Sequence, residues 1–436
     1  MAASPFWGSS LVASAKASRE TLITDFGAKA DGVTVNTKAI QAAIDRLASH
    51  GGGTLAVPQG VFVSGALFFK PKVNLHLQSG AVLQCSTDLS NFPVQRTRIE
   101  GHFEEKFNPG LINAKNCDGL QITGEGTLDG AGLPIWEAFW KARNAAPNPR
   151  EFPNLGIPRA RLAVIESSRN VTVDGITFKD SQYWNLHLYN CDGVTVRQSR
   201  FHVPDDYRQA PSTDGIDIDS SRNVTVDGCF FSVTDDCIAC KGSKGPNAEK
   251  DADSPPVEHI RISNCEYKRG GGVLTIGSEA TIVRDVIVEN CRITGGVAVA
   301  TLKLRPDTPQ HYEDITFRNI TSEATAGAIL AVQPWSQYVN LQGAAAPASV
   351  VRNLSLIGIK GRFGSFGTIR PNPGQTEISN VLLKDFDVVL QRDKLAASGV
   401  KDLKFDNVIV NGQPQSGGVS PAPSTAAPPP AATPHT

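Results

Sequence analysis

Short segments in which apolar residues alternate with other residues recur along most of the chain. Each contains the pattern apolar-x-apolar, as in Val224-Thr225-Val226 and Leu403-Lys404-Phe405. A period of two residues is typical of β-strands, whereas a helix repeats every ~3.6 residues. The pattern therefore predicts a series of similar strands, which begin at Leu120, Val171, Val194, Val224, Ile260, Val286, Ile315, Leu354, Val381 and Leu403.

The spacing of these strands indicates a repeating fold. Successive starts lie about 22 to 39 residues apart, with one double-length gap after Leu120, and this range is typical of solenoids. A second apolar position follows five residues after eight of the starts: Ile176, Cys229, Cys265, Cys291, Ile320, Ile359, Phe386 and Val408. The period also suits leucine-rich repeats, but their leucine consensus is absent. We therefore predict an all-β fold, a single-stranded right-handed parallel β-helix of about ten coils.

The segment before the repeats predicts a helix that covers the first coil. Its apolar residues follow a helical period, at Ala39, Ile40, Ala43, Ile44 and Leu47. Asn36 is the candidate N-cap, and Gly51-Gly52-Gly53 ends the run. A solenoid exposes an apolar surface at its end, so a cap is required there.

The composition indicates where the folded domain begins and ends, and it argues against nucleic acid and membranes as partners. The 436 residues are 40% hydrophobic, enough for a large core, and their net charge of −1 gives no sign of a nucleic-acid or anionic-membrane partner. No apolar stretch approaches the length of a membrane span.

We expect a monomer with a β-helix domain at 21–412. Residues 1–20 are interpreted as a leader remnant or disordered segment, and 413–436 as a Pro/Ala-rich disordered tail.

Most of the eight cysteines follow the repeat. One repeat position holds Cys229, Cys265 and Cys291, and another holds Cys117 and Cys191. Free cysteine is among the most buried residue types, so stacked core residues explain this better than a disulfide framework. Cys237 and Cys240 have the spacing C-x-x-C, but no second half-site for zinc accompanies them. The cysteine pattern fits an oxidising and a reducing compartment equally.

Three aspartates are the candidate catalytic residues. Asp214 lies in the segment 212–217, and Asp235 and Asp236 lie in 234–241, one strand-and-turn unit later. On neighbouring coils these segments would converge, and glycosidic hydrolysis needs such carboxyl groups, one protonated and one charged. Because adjacent strand residues face opposite ways, Asp235 and Asp236 can share a site only at a bend or bulge. The alternative is that the aspartates cap turns between coils.

The chain from about Ile23 to Gly412 resembles glycoside hydrolase family 28, the polygalacturonases and their pectin-degrading relatives. The resemblance is carried by DFGAKADGVTVNTKAIQAAID, GGGTLAVPQGVF, DSQYWNLH and, above all, STDGID and TDDCIACKG in this order. It implies an open cleft, inversion at the anomeric carbon, and neither cofactor nor metal. It also implies that Asp235 is the general acid and that Asp214 and Asp236 hold and deprotonate the attacking water.

One departure from the family pattern concerns the coil after the acidic pair. The polygalacturonase branch has Gly-His-Gly there, and Gly271 stands at the histidine position in this chain. We expect this to leave space for a bulkier or differently linked sugar. The rhamnogalacturonan-hydrolase branch also lacks the histidine, so a rhamnogalacturonan hydrolase or rhamnosidase is an alternative function.

A second departure concerns the cations expected to bind a substrate carboxylate. The family's Arg-Ile-Lys triplet is matched only loosely, by Thr301-Leu302-Lys303-Leu304-Arg305. Leu302 and Leu304 should face the core, which would leave Lys303 and Arg305 on the outer face. Two exposed cations beside three carboxylates suit a uronate substrate, and the alternative is an ordinary solvated strand face.

The predicted substrate-binding set is completed by Trp184, His187, Asp217 and Lys241. Trp184 is a candidate to stack on a sugar ring, with Trp335 as a second, and His187 could bond a hydroxyl or serve a structural role. Asp217 and Lys241 belong to the two acidic motifs.

Together these features predict a hydrolase of pectic polysaccharide that cleaves a galacturonate-containing α-glycosidic bond with inversion, in a secreted or periplasmic location. Two other classes stay open. A calcium-dependent pectin lyase would use the acidic cluster for Ca²⁺ and Lys241, Lys303 or Arg305 as the base. A non-catalytic glycan-binding protein would bind without turnover.

Overall fold

The computed structural model describes residues 20–149 and 151–416. The predicted leader, except its last residue, and the predicted tail beyond residue 416 lie outside the described residues. Within these ranges, no helix has the length and apolar character needed to cross a membrane.

The described chain folds as a right-handed parallel β-helix whose coils contribute to three stacks of strands. Stack 1 holds Glu20–Leu22, Gly53–Val57, Val73–Leu77, Gln121–Gly124, Arg169–Asp174, Asp192–Arg197, Arg222–Asp227, Val257–Ser263 and Ile282–Glu289. Stack 2 holds Asp31–Val35, Gly60–Ser64, Ala81–Cys85, Thr127–Asp129, Thr177–Lys179, Arg200–His202, Phe230–Ser232, Glu266–Arg269 and Arg292–Ile293. Stack 3 holds Leu67–Phe69, Ile112–Lys115, Ala163–Glu166, Leu186–Tyr189, Ile216–Asp219, Ile238–Lys241, Gly272–Ile276, Ala298–Leu304 and Ala328–Pro334.

Four long strands continue stack 1 and bend into other stacks: His311–Ser322, Ser349–Ile369, Thr376–Ala397 and Val400–Val410. The strand Gln413–Gln415 pairs antiparallel with the last of them, three residues beyond the predicted domain end at 412. A separate hairpin consists of Gln95–Ile99 and His102–Phe107. The helices are α1 (Thr37–Ser49) and α2 (Leu133–Ala145), with short 3-10 turns at Ile23–Phe26, Leu89–Asn91, Asn154–Gly156 and Ala248–Lys250.

The predicted repeat register is confirmed. Nine of the ten predicted starts are direct neighbours in stack 1, from Val171 through Val194, Val224, Ile260, Val286, Ile315, Leu354 and Val381 to Leu403. The double-length gap after Leu120 is not two coils, because Gln121–Gly124 pairs directly with Arg169–Asp174. The extra residues form α2 and a loop, an insertion that contributes to the pocket described below. Three earlier strands of stack 1 extend the solenoid beyond the predicted repeats.

Equivalent side chains stack inside the solenoid. Phe178, Phe201, Phe231 and Tyr267 form a ladder of nearly parallel rings with centroids 4.7, 5.0 and 5.1 Å apart. All eight cysteines are buried and free, which confirms their interpretation as core residues. Stacked apolar groups lose water on both ring faces, so each coil stabilises its neighbours.

The capping helix is also confirmed. α1 buries Ile40, Ala43, Ile44 and Leu47 against the first coils. Asn36 immediately precedes it, but its side chain does not cap the helix. It instead accepts a hydrogen bond from the Lys29 amide at 2.7 Å and donates to the Lys29 carbonyl at 3.0 Å. Asn36 therefore holds the loop that leads into the helix.

Candidate active site

The three aspartates converge at the start of two neighbouring strands of stack 3. Asp214 precedes Ile216–Asp219 and the acidic pair precedes Ile238–Lys241, and these strands pair in register. Carboxylate oxygens of Asp214, Asp235 and Asp236 lie within 4.8 Å of one another. Residues 233–237 form a bend rather than a strand, which lets neighbouring aspartates serve one site. The carboxyl groups therefore lie close enough to act on one bond and one water molecule.

The three carboxylates line a pocket with a cavity volume of about 320 Å³. Its floor is stack 3, and its walls come from the turn of the hairpin, from α2 and the loop after it, from the segment 208–212 and from the segment 335–338. Trp335 is half-buried on one wall, with the Lys303 ammonium 4.8 Å from its ring centre. Trp184 also borders the pocket, but it is only 3% exposed. Of the two tryptophans, Trp335 offers more ring surface to a sugar.

Asp236 is held in its charged form. Lys303 Nζ donates to Asp236 Oδ2 at 2.8 Å, and Thr275 Oγ1 donates to Oδ1 at 2.7 Å. Burial opposes the charge, but Lys303, Lys241 and these hydrogen bonds lower the pKa of Asp236 below its usual value. Asp236 therefore suits the role of a base.

Asp235 and Asp214 experience the opposite effect. Burial and the charge of Asp236 raise the pKa of Asp235. Burial and the nearby Asp235 raise the pKa of Asp214 well above its usual value. Since carboxylates this close cannot all remain ionised, the cluster retains a proton where a leaving oxygen could receive it.

Lys241 and Glu279 form a second charged group on the pocket wall. Lys241 Nζ lies 3.7 Å from Asp214, 3.9 Å from Asp217 and 3.8 Å from Glu279. Burial alone would lower the pKa of Lys241, but these carboxylates raise it well above its usual value. Although burial opposes its charge, Glu279 has a lowered pKa because Lys241, Lys244 and Arg305 surround it. Sequence analysis did not single out Glu279, because it belongs to no recognisable motif.

Three residues predicted to bind substrate lie behind the pocket surface. His187 is fully buried between the Arg161 guanidinium, 2.7 Å from Nδ1, and Asp219 Oδ2, 3.2 Å from Nε2. Asp217 is fully buried as well, and burial raises its pKa well above its usual value. Neither side chain reaches the pocket surface, and the partners of His187 match the structural role that the sequence left open as an alternative. Both belong to strands whose outward face the loops of this site cover.

Arg305 is buried as well, so the prediction that it lies exposed on the outer face is wrong. Leu302 and Leu304 face the core as predicted, but Arg305 is 1% exposed. Its guanidinium makes a bidentate pair with Asp307 at 2.9 and 2.8 Å. Only Lys303 of the two predicted cations borders the pocket, and it is already paired with Asp236.

Gly271 does not leave the expected empty space. A Cβ atom there would lie 2.6 Å from Asp236 Oδ1, closer than real Cβ contacts. The Gly271 amide also donates to the Asp235 carbonyl oxygen at 2.9 Å. The glycine therefore allows the backbone to approach the acidic pair closely, and the Asp236 carboxylate fills the position of a side chain.

The fold and the site together define a class of protein, a parallel β-helix with a carboxylate pocket suited to glycosidic hydrolysis. The sequence profile described as glycosyl hydrolases family 28 matches residues 53–410, and the chain belongs to this family.

Curated relatives of the chain include two plant proteins. A probable polygalacturonase of Vitis vinifera is 30% identical over 315 residues, which cover 69% of this chain and 60% of that protein. An exopolygalacturonase of Zea mays is 28% identical, with 67% of this chain and 66% of the relative covered. The chain thus spans about 60% of the length of the Vitis relative.

Solved structures show the same fold. A hyperthermoactive exopolygalacturonase from Thermotoga maritima matches with a TM-score of 0.75 and 24% identity, over 91% of this chain and 92% of that one. A family 28 exopolygalacturonase from Yersinia enterocolitica matches with a TM-score of 0.72 and 21% identity, over 93% and 77% of the two chains.

Proposed function

We propose that the protein is an inverting glycoside hydrolase of pectic polysaccharide that cleaves a galacturonate-containing α-glycosidic bond. The convergence of the Asp214, Asp235 and Asp236 carboxylates within 4.8 Å carries this proposal. Family membership and the relatives named polygalacturonase and exopolygalacturonase support it. A pectic polymer lies outside cells, so the proposal includes a secreted or periplasmic location.

The proposed roles are those that the family resemblance implies for the three aspartates, and the opposite pKa shifts of Asp235 and Asp236 support them. Asp235, with its raised pKa, donates its proton to the glycosidic oxygen as the bond breaks. Asp236, held charged beside Lys303, accepts a proton from the attacking water. Asp214 holds that water through a hydrogen bond. Water attacks the face opposite the leaving group, so the anomeric configuration inverts.

We assign recognition of the uronate carboxylate to Arg208 rather than to Lys303 and Arg305. Arg208 borders the pocket, is exposed, and makes no hydrogen bond or ion pair with another described residue. Lys303 and Arg305, by contrast, already have carboxylate partners. An unpaired guanidinium is suited to bind a carboxylate through two parallel hydrogen bonds.

The deciding experiment measures reducing ends released from polygalacturonate, rhamnogalacturonan and rhamnoside oligomers. We expect release from a galacturonate polymer, unchanged by a chelator, and inversion in the proton NMR spectrum of the fresh product. An unsaturated product that absorbs ultraviolet light and requires calcium would instead identify a lyase. Binding without turnover on every substrate would identify a glycan-binding protein.

A further inference from the structure

Glu279 borders the pocket but takes no part in the proposed chemical steps. Its backbone is tied to the end of the strand Ile238–Lys241, because the Gly242 amide donates to the Glu279 carbonyl oxygen at 2.6 Å. The Ser278 hydroxyl donates to Glu279 Oε1 at 2.8 Å, and Oε2 lies 3.8 Å from Lys241 Nζ. Glu279 is therefore a fixed anion beside Lys241.

The Lys241 ammonium is shared among three carboxylates. It lies 3.7 Å from Asp214 and 3.9 Å from Asp217, nearly the same distances as from Glu279. Each of these separations is longer than a hydrogen bond, so charge rather than a directional bond holds the ammonium. The balance of negative charge around Lys241 therefore decides how strongly it acts on Asp214.

Lys241 is the cation that connects Glu279 to the aspartate cluster. Among the residues that the structure describes, it is the one that forms ion pairs with both Asp214 and Glu279. Glu279 is also faced by Lys244, Arg305, the Tyr312 hydroxyl and, from the hairpin, the uncharged Gly101. Asp214 is also faced by Asp217, Asp235, Asp236, Arg159 and Tyr183.

We infer that Glu279 is a positioning residue that acts on the aspartate cluster through Lys241. Its negative charge draws part of the Lys241 charge away from Asp214, so the cluster keeps the proton for the leaving oxygen up to a higher pH. Without Glu279, an uncompensated ammonium beside Asp214 would favour the ionised cluster. The inference rests on the proposed function and concerns the pH range in which the cluster can act as an acid.

The test is the alkaline limb of the kcat/KM profile on polygalacturonate, which reports the loss of this proton from the free protein. Glu279→Gln removes the negative charge and nearly keeps the shape, and we expect the limb to move to lower pH. Lys241→Met removes the positive charge and should move the limb to higher pH by about 1 pH unit or more, as expected for an opposite charge this close. The shift in Glu279→Gln should be roughly half as large, because Glu279 acts through Lys241.

Three further variants separate this role from a structural one. The double variant of Glu279→Gln and Lys241→Met should have a limb between those of the single variants, because the two charges removed are opposite. Glu279→Asp keeps the charge and should stay near the wild type. Glu289→Gln is the matched control, since Glu289 pairs with Arg318 at 2.6 Å on stack 1, away from the pocket. Activity of Glu279→Gln that falls at every pH without a shift of the limb, or a shift to higher pH, would overturn the inference.

NMR of the aspartate carboxyl carbons provides a second measurement that needs no turnover. Asp214→Asn assigns the signals of the cluster, and we expect their highest apparent pKa to be lower in Glu279→Gln than in the wild type. An unchanged titration would overturn the inference and leave the hydrolase assignment intact. No release from any galacturonate substrate would refute the proposed function, whereas the titration would still show whether Glu279 acts on the cluster.

Discussion

Asp235 and Asp236 are neighbours in the chain, yet the pocket moves their pKa values in opposite directions. We expect Asp235→Asn to lower kcat by roughly 10²–10⁴-fold, because the leaving oxygen loses its proton donor. Oligogalacturonate should still bind, since the amide has nearly the shape of the acid. Steady-state kinetics and calorimetry measure the two effects. Asp227→Asn is the control and should keep full turnover, because Asp227 ends the strand Arg222–Asp227 and accepts a hydrogen bond from Ser263.

Lys303 should determine the pH below which the activity falls. Its ammonium lowers the pKa of Asp236, so the base stays charged at acidic pH. In Lys303→Met the pKa of Asp236 rises, and the acidic limb of the kcat/KM profile should move to higher pH. Lys303→Arg retains the positive charge and should shift the limb less. An unmoved limb in Lys303→Met would mean that another group controls it.

Arg208 should contribute to binding rather than to the chemical step. We expect Arg208→Ala to raise KM for polygalacturonate by about 10–100-fold, the value of a charge-assisted hydrogen bond. The kcat value should change little, because Arg208 does not belong to the carboxylate cluster. Arg200→Ala is the control, since Arg200 lies over the Phe230 ring at 4.1 Å and not in the pocket. Equal KM values for Arg208→Ala and the wild type would refute the assignment of the uronate site.

At the scale of the strand stacks, the aromatic ladder should dominate stability. Phe231 lies between Phe201 and Tyr267 with centroids 5.0 and 5.1 Å away. We expect Phe231→Ala to lower the free energy of unfolding by about 3–5 kcal/mol, because it leaves a cavity between two coils. Phe230→Ala removes the same ring from the outer face and should cost about 1 kcal/mol or less. Urea unfolding measures the stability of both variants. Similar losses of unfolding free energy would show that a ring in the ladder contributes no more than a ring on the outer face.

At the scale of the whole molecule, the buried His187 makes stability depend on pH. Arginine can only donate, so the bond from Arg161 requires an unprotonated Nδ1. Burial, with the charge of Arg161, lowers the pKa of His187 from 6.5 to about 4, although Asp219 opposes this. The unfolded chain therefore binds a proton that the folded chain excludes. This contribution is complete above pH 6.5 and is lost as the pH falls toward 4.

We expect the wild type to lose about 3 kcal/mol more than His187→Gln between pH 7 and pH 4, since each pKa unit corresponds to about 1.4 kcal/mol. Urea unfolding at several pH values measures the difference. The comparison removes the contribution of the other carboxyl groups, which titrate in both proteins. Parallel stability curves would show that His187 accepts a proton in the folded state.

The sequence alone determined the architecture and the position of the acidic cluster. A two-residue period is a local property, so strands such as Val224–Val226 and Val286–Val288 could be recognised without their neighbours. Their recurrence every 22 to 39 residues set the register, and the register brought Asp214 beside Asp235 and Asp236. The same reasoning recognised the cysteines as core residues, because they share repeat positions.

Only the tertiary structure decided which charged groups face the pocket. Exposure depends on partners distant in sequence, as with Arg305, which holds the carbonyl of Tyr338, and His187, which lies against Arg161. Neither pairing leaves a periodic signal. Arg208 belongs to a loop, where no repeat constrains the chain. The strand period therefore predicts the solenoid, while loop contacts that only folding creates decide what the pocket can bind.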